Sequence, residues 1–161
     1  MKRLITALCF ILTLYSASAQ HNKFYDTAAN AEKDIAEAVN KAHKENKHVI
    51  LMGGGNWCSW CLRFNDFITK DPQLDSIVKA DYVIYHLNYS KENHNTATFA
   101  KYGYPQRFGF PVFIVLDENG KRIHTQNSGL LEQGKGYDKE KVKDFLLQWN
   151  RKAIDPNSYK E

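Results

Sequence analysis

The chain has 161 residues, of which 25% are charged and 43% hydrophobic, with a formal net charge of +4. That length suits one domain able to bury a sizeable core. The charges form no sustained run of one sign, which argues against a nucleic-acid partner or a membrane surface as a binding target.

Residues 1–19 read as a secretory leader. Lys2 and Arg3 are followed by an almost wholly apolar stretch, Leu4 to Leu14, and then by the small residues Ala17-Ser18-Ala19. Cleavage is expected after Ala19, giving a periplasmic or secreted product. The apolar run is about half the ~20 residues that a membrane-spanning helix needs. Cys9 follows Leu8 rather than a small residue, which disfavours a lipoprotein signal. The remainder, residues 20–161, is expected to be one monomeric domain with its core at about 28–153 and no further spanning segment.

In chain order, a polar opening (Gln20 to Asp26) precedes a helical pattern from about Ala28 to Asn46. There Ala31, Ile35, Val39 and Ala42 recur at helical spacing, and Asp26 or Thr27 is placed to cap the start. His48 to Met52 reads as a buried strand ending in three glycines. Helices are predicted from Cys58 to about Ile68, with Leu62 facing inward, and from Gln73 to Lys79. Asp71-Pro72 separates them. Tyr82 to Asn88 reads as a strand and Asn95 to Tyr102 as a helix. Pro111 to Leu116 then forms a strand that turns at Asp117–Gly120 and pairs with Lys121 to Thr125. The segment Tyr104–Phe108 is expected to pack locally against Tyr102, and Gly129–Gly136 to be a mobile connection. A last helix is predicted from Asp138 to Lys152, followed by a frayed tail after Asp155-Pro156. This alternation indicates an α/β domain with a central mixed sheet flanked by helices.

The chemistry-bearing motif is Trp57-Cys58-Ser59-Trp60-Cys61. With the leader removed, Cys58 and Cys61 are the only cysteines. A bridge across two residues closes too short a loop to be a useful staple, because stabilisation grows with loop length. It suits redox exchange better. At the start of a helix, unpaired N–H groups and the helix dipole favour an anion, so a Cys58 thiol is expected below the ~8.5 of a free one. Cys61, one helical turn on, can reach back. Cys58 is thus the candidate nucleophile and Cys61 the resolving thiol. The same spacing is also half of a zinc site, but no second cysteine pair is present and the histidines lack ligand spacing, so no metal or other cofactor is expected. The glycines at 53–55 lack the lysine and spacing of a phosphate loop, and read as tight backbone beside the site.

The stretch Val49 to Leu62 resembles the active-site strand and helix of the thioredoxin superfamily, including the tryptophan before the first cysteine. His86-Leu87-Asn88, Lys101-Tyr102-Gly103, Gly109-Phe110-Pro111 and Asp117 to Lys121 continue the resemblance over about Ile35 to Trp149. Gly53-Gly54-Gly55-Asn56 is most similar to secreted bacterial members. The resemblance implies a thioredoxin-like fold and a cis bond before Pro111. It further implies a substrate groove with Phe110 offering its backbone, Trp57 as a wall, and Trp60 either facing substrate or covering the disulfide. Two positions depart from the family pattern. Met52 stands where a buried acidic residue usually assists the second cysteine, and His86 stands where a lysine is common. His86 is therefore a candidate proton relay. The resulting expectation is a thiol–disulfide oxidoreductase; Ser59-Trp60 has neither the proline of strongly reducing members nor the histidine of oxidising ones, and the lack of histidine points to a reductase. It would act on protein or peptide thiols and disulfides and draw on a separate redox partner. The alternatives are a non-catalytic thioredoxin-fold binding or chaperone module, and capture of copper(I) by the two thiolates.

Overall fold

Every residue from His48 to Gly54 is buried, and this run forms the inner strand β1. The computed structural model describes residues 23–160; the leader expected at residues 1–19 lies outside them. β1 pairs in parallel with β2 (Tyr82–Asn88) and antiparallel with β3 (Val112–Leu116), which in turn pairs antiparallel with β4 (Arg122–Asn127). The order β2-β1-β3-β4 makes a mixed sheet with β1 and β3 at its centre.

The two central strands are apolar throughout, yet successive side chains go to opposite faces. Ile50, Met52, Phe113 and Val115 join one core layer, together with Phe64, Ile68, Leu74, Val142, Phe145 and Leu146. Those partners come from α2 (Ser59–Lys70), α3 (Pro72–Asp81) and α5 (Lys139–Gln148). Val49, Leu51, Ile114 and Leu116 join the opposite layer, with Ala31, Ile35, Ala38, Ala42 and Phe99 from α1 (Ala31–Glu45) and α4 (Thr96–Lys101). A strand buried on both faces has no polar side to show, which is why these runs read as continuous apolar stretches. The expected α/β architecture, a mixed sheet flanked by helices, is the one observed.

Several boundaries differ from the sequence reading. α1 begins at Ala31 because the Asn30 side chain accepts from Lys33 N, while Asp26 instead accepts from Ala28 N in a preceding turn. β1 continues two residues past Met52 into the glycines. On α2 the fully inward positions are Cys61, Phe64, Asn65 and Ile68, and Leu62 is only half-buried. The final helix is interrupted. Asn150 breaks it by capping a short α6 (Arg151–Ile154), accepting from Ala153 N while donating to Asp81. The tail after Asp155 forms a 3₁₀ turn, with Tyr159 donating to the Ala153 carbonyl.

Two connections also hold more structure than expected. Ser128–Leu131 is a 3₁₀ turn leading into a small hairpin, β5 (Glu132–Gln133) and β6 (Gly136–Tyr137), which buries Leu131 and Tyr137. Those two apolar contacts give the glycine-rich segment a defined seat. Pro105–Phe108 is another 3₁₀ turn; the Arg107 guanidinium donates to the Gly103 and Tyr104 carbonyls and lies over the Phe108 ring. Tyr104 and Phe108 themselves point outward, so the local packing centres on Arg107 rather than on Tyr102. No helix among the described residues is long and apolar enough to cross a membrane.

Phe113 is fully buried at the centre of β3 and packs against Phe64 and Phe145 at ring-centroid distances of 4.3 and 5.8 Å. Phe113→Ala is expected to lower stability by about 3–5 kcal/mol, combining lost transfer energy with a residual cavity. Urea unfolding checks this; a loss under about 1 kcal/mol would mean the layer repacks.

Candidate active site

The backbone turns from strand to helix between Gly55 and Cys58, where Cys58 N donates to the Gly55 carbonyl at 3.0 Å. Cys58 is then the N-cap of α2, in an extended conformation, and its sulfur accepts from Cys61 N at 3.2 Å. A residue at this position meets the otherwise unpaired N–H groups of the first turn and the positive end of the helix dipole, so negative charge on its sulfur is stabilised there. The two cysteines are disulfide-bonded, with Cα atoms 5.2 Å apart. Cys61 is fully buried, whereas Cys58 retains 6% exposure, so the outer sulfur is the one open to attack.

The adjacent glycines are required by close approach. A side chain at Gly55 would meet Trp57 Nε1 at 2.4 Å and the Tyr89 carbonyl oxygen at 2.9 Å. Those two groups are hydrogen-bonded to each other at 2.7 Å, which sets the indole across the strand end. Trp57 is 61% exposed, yet its ring is held edge-on to Phe110 at 5.7 Å. Phe110 is half-buried and packs further against Tyr89 and Phe99. The Phe110–Pro111 bond is cis and immediately precedes β3. Trp57, from the turn between β1 and α2, and Phe110-Pro111, from the segment entering β3, are thus brought together from two separate parts of the chain.

Trp60 lies on the other side. Its ring is edge-on to Tyr137 at 5.5 Å, the Arg63 guanidinium sits 4.7 Å from its centroid, and its carbonyl accepts from the Tyr137 hydroxyl. Trp60 packs toward the β5–β6 hairpin on that flank of the helix start.

His86 is across the β1–β2 ladder from Met52, and Met52 is flanked on its other side by Phe113. The His86 ring stacks on Phe24 at 5.7 Å and meets Tyr25 edge-on at 5.2 Å. Its Nε2 is 3.1 Å from the Asn65 side-chain oxygen, which can only accept, so Nε2 carries the hydrogen. Burial lowers its pKa from 6.5 to about 4, because the charged imidazolium loses solvation there. His86 is accordingly neutral at pH 7.

Sequence reasoning passed over Tyr25, Asn56, Asn65, Tyr89 and Tyr137. Asn56 clamps the Tyr25 backbone, donating to its carbonyl at 2.7 Å and accepting from its N–H at 3.2 Å. That pair of bonds pins an N-terminal aromatic into the core beneath the disulfide. The adjacent aromatics Phe24 and Tyr25 in an otherwise polar stretch were the available signal. Asn65 was legible only as a polar residue on the inner face of a helix.

The profile of the thioredoxin-like domain family matches residues 35–135. Among solved structures, a disulphide isomerase from Xylella fastidiosa Temecula1 superposes with a TM-score of 0.66 at 22% identity, covering 77% of this chain and 94% of its own. A DsbH oxidoreductase aligns with a TM-score of 0.51 at 23% identity, over 70% of this chain and 81% of that one. A thioredoxin from Thermus thermophilus aligns with a TM-score of 0.51 at 18% identity, over 78% and 93%. At these identities the likeness is one of fold. No curated protein matches the sequence.

A lowered histidine pKa is a statement about stability. Between pH 6.5 and about 4 the unfolded chain takes up a proton at His86 that the folded chain does not, so this contribution to stability is complete above pH 6.5 and is lost as pH falls toward 4. The His86 ring resonances are expected to titrate near pH 4 by NMR. His86→Gln should unfold with a shallower acid slope in that window; equal slopes would contradict the assignment.

Proposed function

The chain belongs to the thioredoxin-like domain family, and on that premise we propose that it is a thiol–disulfide oxidoreductase that reduces protein or peptide disulfides outside the cytoplasm. The observation that carries this reading is the Cys58–Cys61 pair at the start of α2, with the less buried sulfur accepting from the Cys61 backbone N–H. In the reduced protein the same N–H and the helix terminus favour a Cys58 thiolate.

The reaction proceeds by two exchanges. The Cys58 thiolate attacks one sulfur of a substrate disulfide, forming a mixed disulfide and expelling the first substrate thiolate. Cys61, as thiolate, then attacks the Cys58 sulfur, closes the 58–61 disulfide and releases the second substrate thiolate. Two electrons have passed from the protein to the substrate, and a reduced dithiol partner must return them. Trp57 and Phe110 form the apolar wall on which the substrate chain would rest, alongside Pro111. Trp60 takes the covering role. His86 would take part as a neutral relay behind the pair, since burial removes its charge at neutral pH.

The direction rests on Ser59-Trp60, which places no histidine between the cysteines to stabilise the thiolate by charge. Export rests on the sequence pattern expected of a leader at residues 1–19, which lie outside the described residues.

Cys58→Ser is expected to abolish reduction of insulin disulfides, whereas Cys61→Ser should trap a mixed disulfide through Cys58. Equilibration with glutathione should give a reduction potential near about −270 mV; a value near about −120 mV would reverse the direction of flow. Substrate binding that is undiminished in the double Cys→Ser variant, with no turnover by the wild type, would instead identify a binding module.

A further inference from the structure

The resolving cysteine is fully buried in a layer that offers it no carboxylate, since Met52 occupies the neighbouring strand position. A buried thiolate needs a hydrogen-bond donor, because desolvation otherwise disfavours the charge. The Tyr25 hydroxyl is buried and finds no hydrogen-bond partner among the described residues. A Cβ added at Gly54 would lie 2.5 Å from Cys61 Sγ and 2.8 Å from the Tyr25 oxygen, so both atoms border the space this glycine leaves open. Tyr25 is held there by Asn56 through both of its backbone groups. An orphaned buried donor costs free energy in the disulfide form, so a state that pairs it is favoured relative to this one.

We propose that the Tyr25 hydroxyl is the hydrogen-bond donor to the Cys61 thiolate, taking the place of the missing acidic residue in both directions of exchange; this rests on the oxidoreductase reading given above. When an incoming thiolate attacks Cys58, the 58–61 bond breaks and its electron pair leaves on Cys61, where Tyr25 O–H donates to the new anion. When Cys61 resolves a mixed disulfide, the same bond keeps it ionised. The phenol proton stays on oxygen throughout, consistent with burial pushing its pKa up. The titratable groups around the pair do not supply the charge. His86 of β2, packed on the Tyr25 ring, is neutral above pH 5, and the Tyr137 phenol of β6 is kept protonated by burial. Arg63 of α2 is exposed beyond Trp60, and Asp26, next to Tyr25 in sequence, is also exposed.

The test uses the reduced full domain and 5,5′-dithiobis(2-nitrobenzoate) under stopped flow, across pH 5 to 9. Attack by Cys58 releases one thionitrobenzoate, and resolution by Cys61 releases a second. Tyr25→Phe should leave the first phase unchanged and move the midpoint of the second-phase pH profile upward. Each unit of that shift makes resolution about three- to fourfold slower below the midpoint. The thiolate fraction falls tenfold per unit, while a more basic sulfur regains part of the loss through a Brønsted slope of about 0.4–0.5. Because the lost hydroxyl is buried without a partner in the disulfide form, the oxidised variant should unfold at or above the thermal midpoint of the wild type. 3,5-Difluorotyrosine at position 25, a stronger donor of the same shape, should move the profile the opposite way, and it serves equally should Tyr25→Phe not fold. A second phase identical in all three proteins overturns the proposal. Absence of the first phase in the wild type would overturn the oxidoreductase reading instead.

Discussion

The four-residue turn from Gly55 to Cys58 is the constraint on which the geometry of the cysteine pair depends. It is closed by the bond from Cys58 N to the Gly55 carbonyl, at the end of a strand buried on both faces. Because β1 is clamped by β2, β3 and both core layers, the point where it ends cannot drift. Phe64 and Ile68 fix the rotation of α2 by entering one of those layers. With the strand end and the helix rotation both set, Cys58 falls at the cap and Cys61 one turn inside. The difference in exposure between the two sulfurs follows from that arrangement and needs no further device.

The electrostatic surroundings of the inner sulfur are polar but uncharged. Met52, an apolar side chain, stands on the strand beside the pair, and the groups grouped around it (Tyr25, His86, Asn65) are neutral at pH 7 or hold neutral hydrogen bonds. The helix terminus helps an anion on Cys58, which it faces, far more than one on Cys61, because dipole effects fade within the first turn. Stabilisation of the two sulfurs is therefore divided between backbone for the outer one and side chains for the inner one. Burial makes the second requirement the more demanding.

The outer face is shaped by aromatics that hold one another. Trp57 is pinned by the Tyr89 carbonyl and by Phe110, and Phe110 is backed by Tyr89 and Phe99 from the opposite core layer. An exposed indole is normally free to rotate. Here the absence of a side chain at Gly55 lets it lie against the backbone, so the ring is held in one place beside Cys58. Trp60, three residues after Trp57, goes to the other side and joins Tyr137, which couples the small β5–β6 hairpin to the helix that carries both cysteines.

The apolar strands, the helix after the glycines and the isolated cysteine pair could all be read from the chain, because they rest on local periodicity, on the Asp71-Pro72 break and on a spacing that reaches one helical turn. The likeness to the thioredoxin superfamily rested on the same local segments. Helix ends were less legible: Asn30 and Asn150 outcompete nearby candidates as caps by side-chain bonds that the sequence does not rank. What surrounds Cys61 could not be read at all. Tyr25 is brought to the same Gly54 space from more than thirty residues upstream through the Asn56 clamp, and His86, packed on the Tyr25 ring, bonds to Asn65 of α2. Such contacts are long-range by nature, so the cysteine pair was settled by the chain, while the donors and apolar walls that govern its inner sulfur were decided only by the packing of distant elements around it.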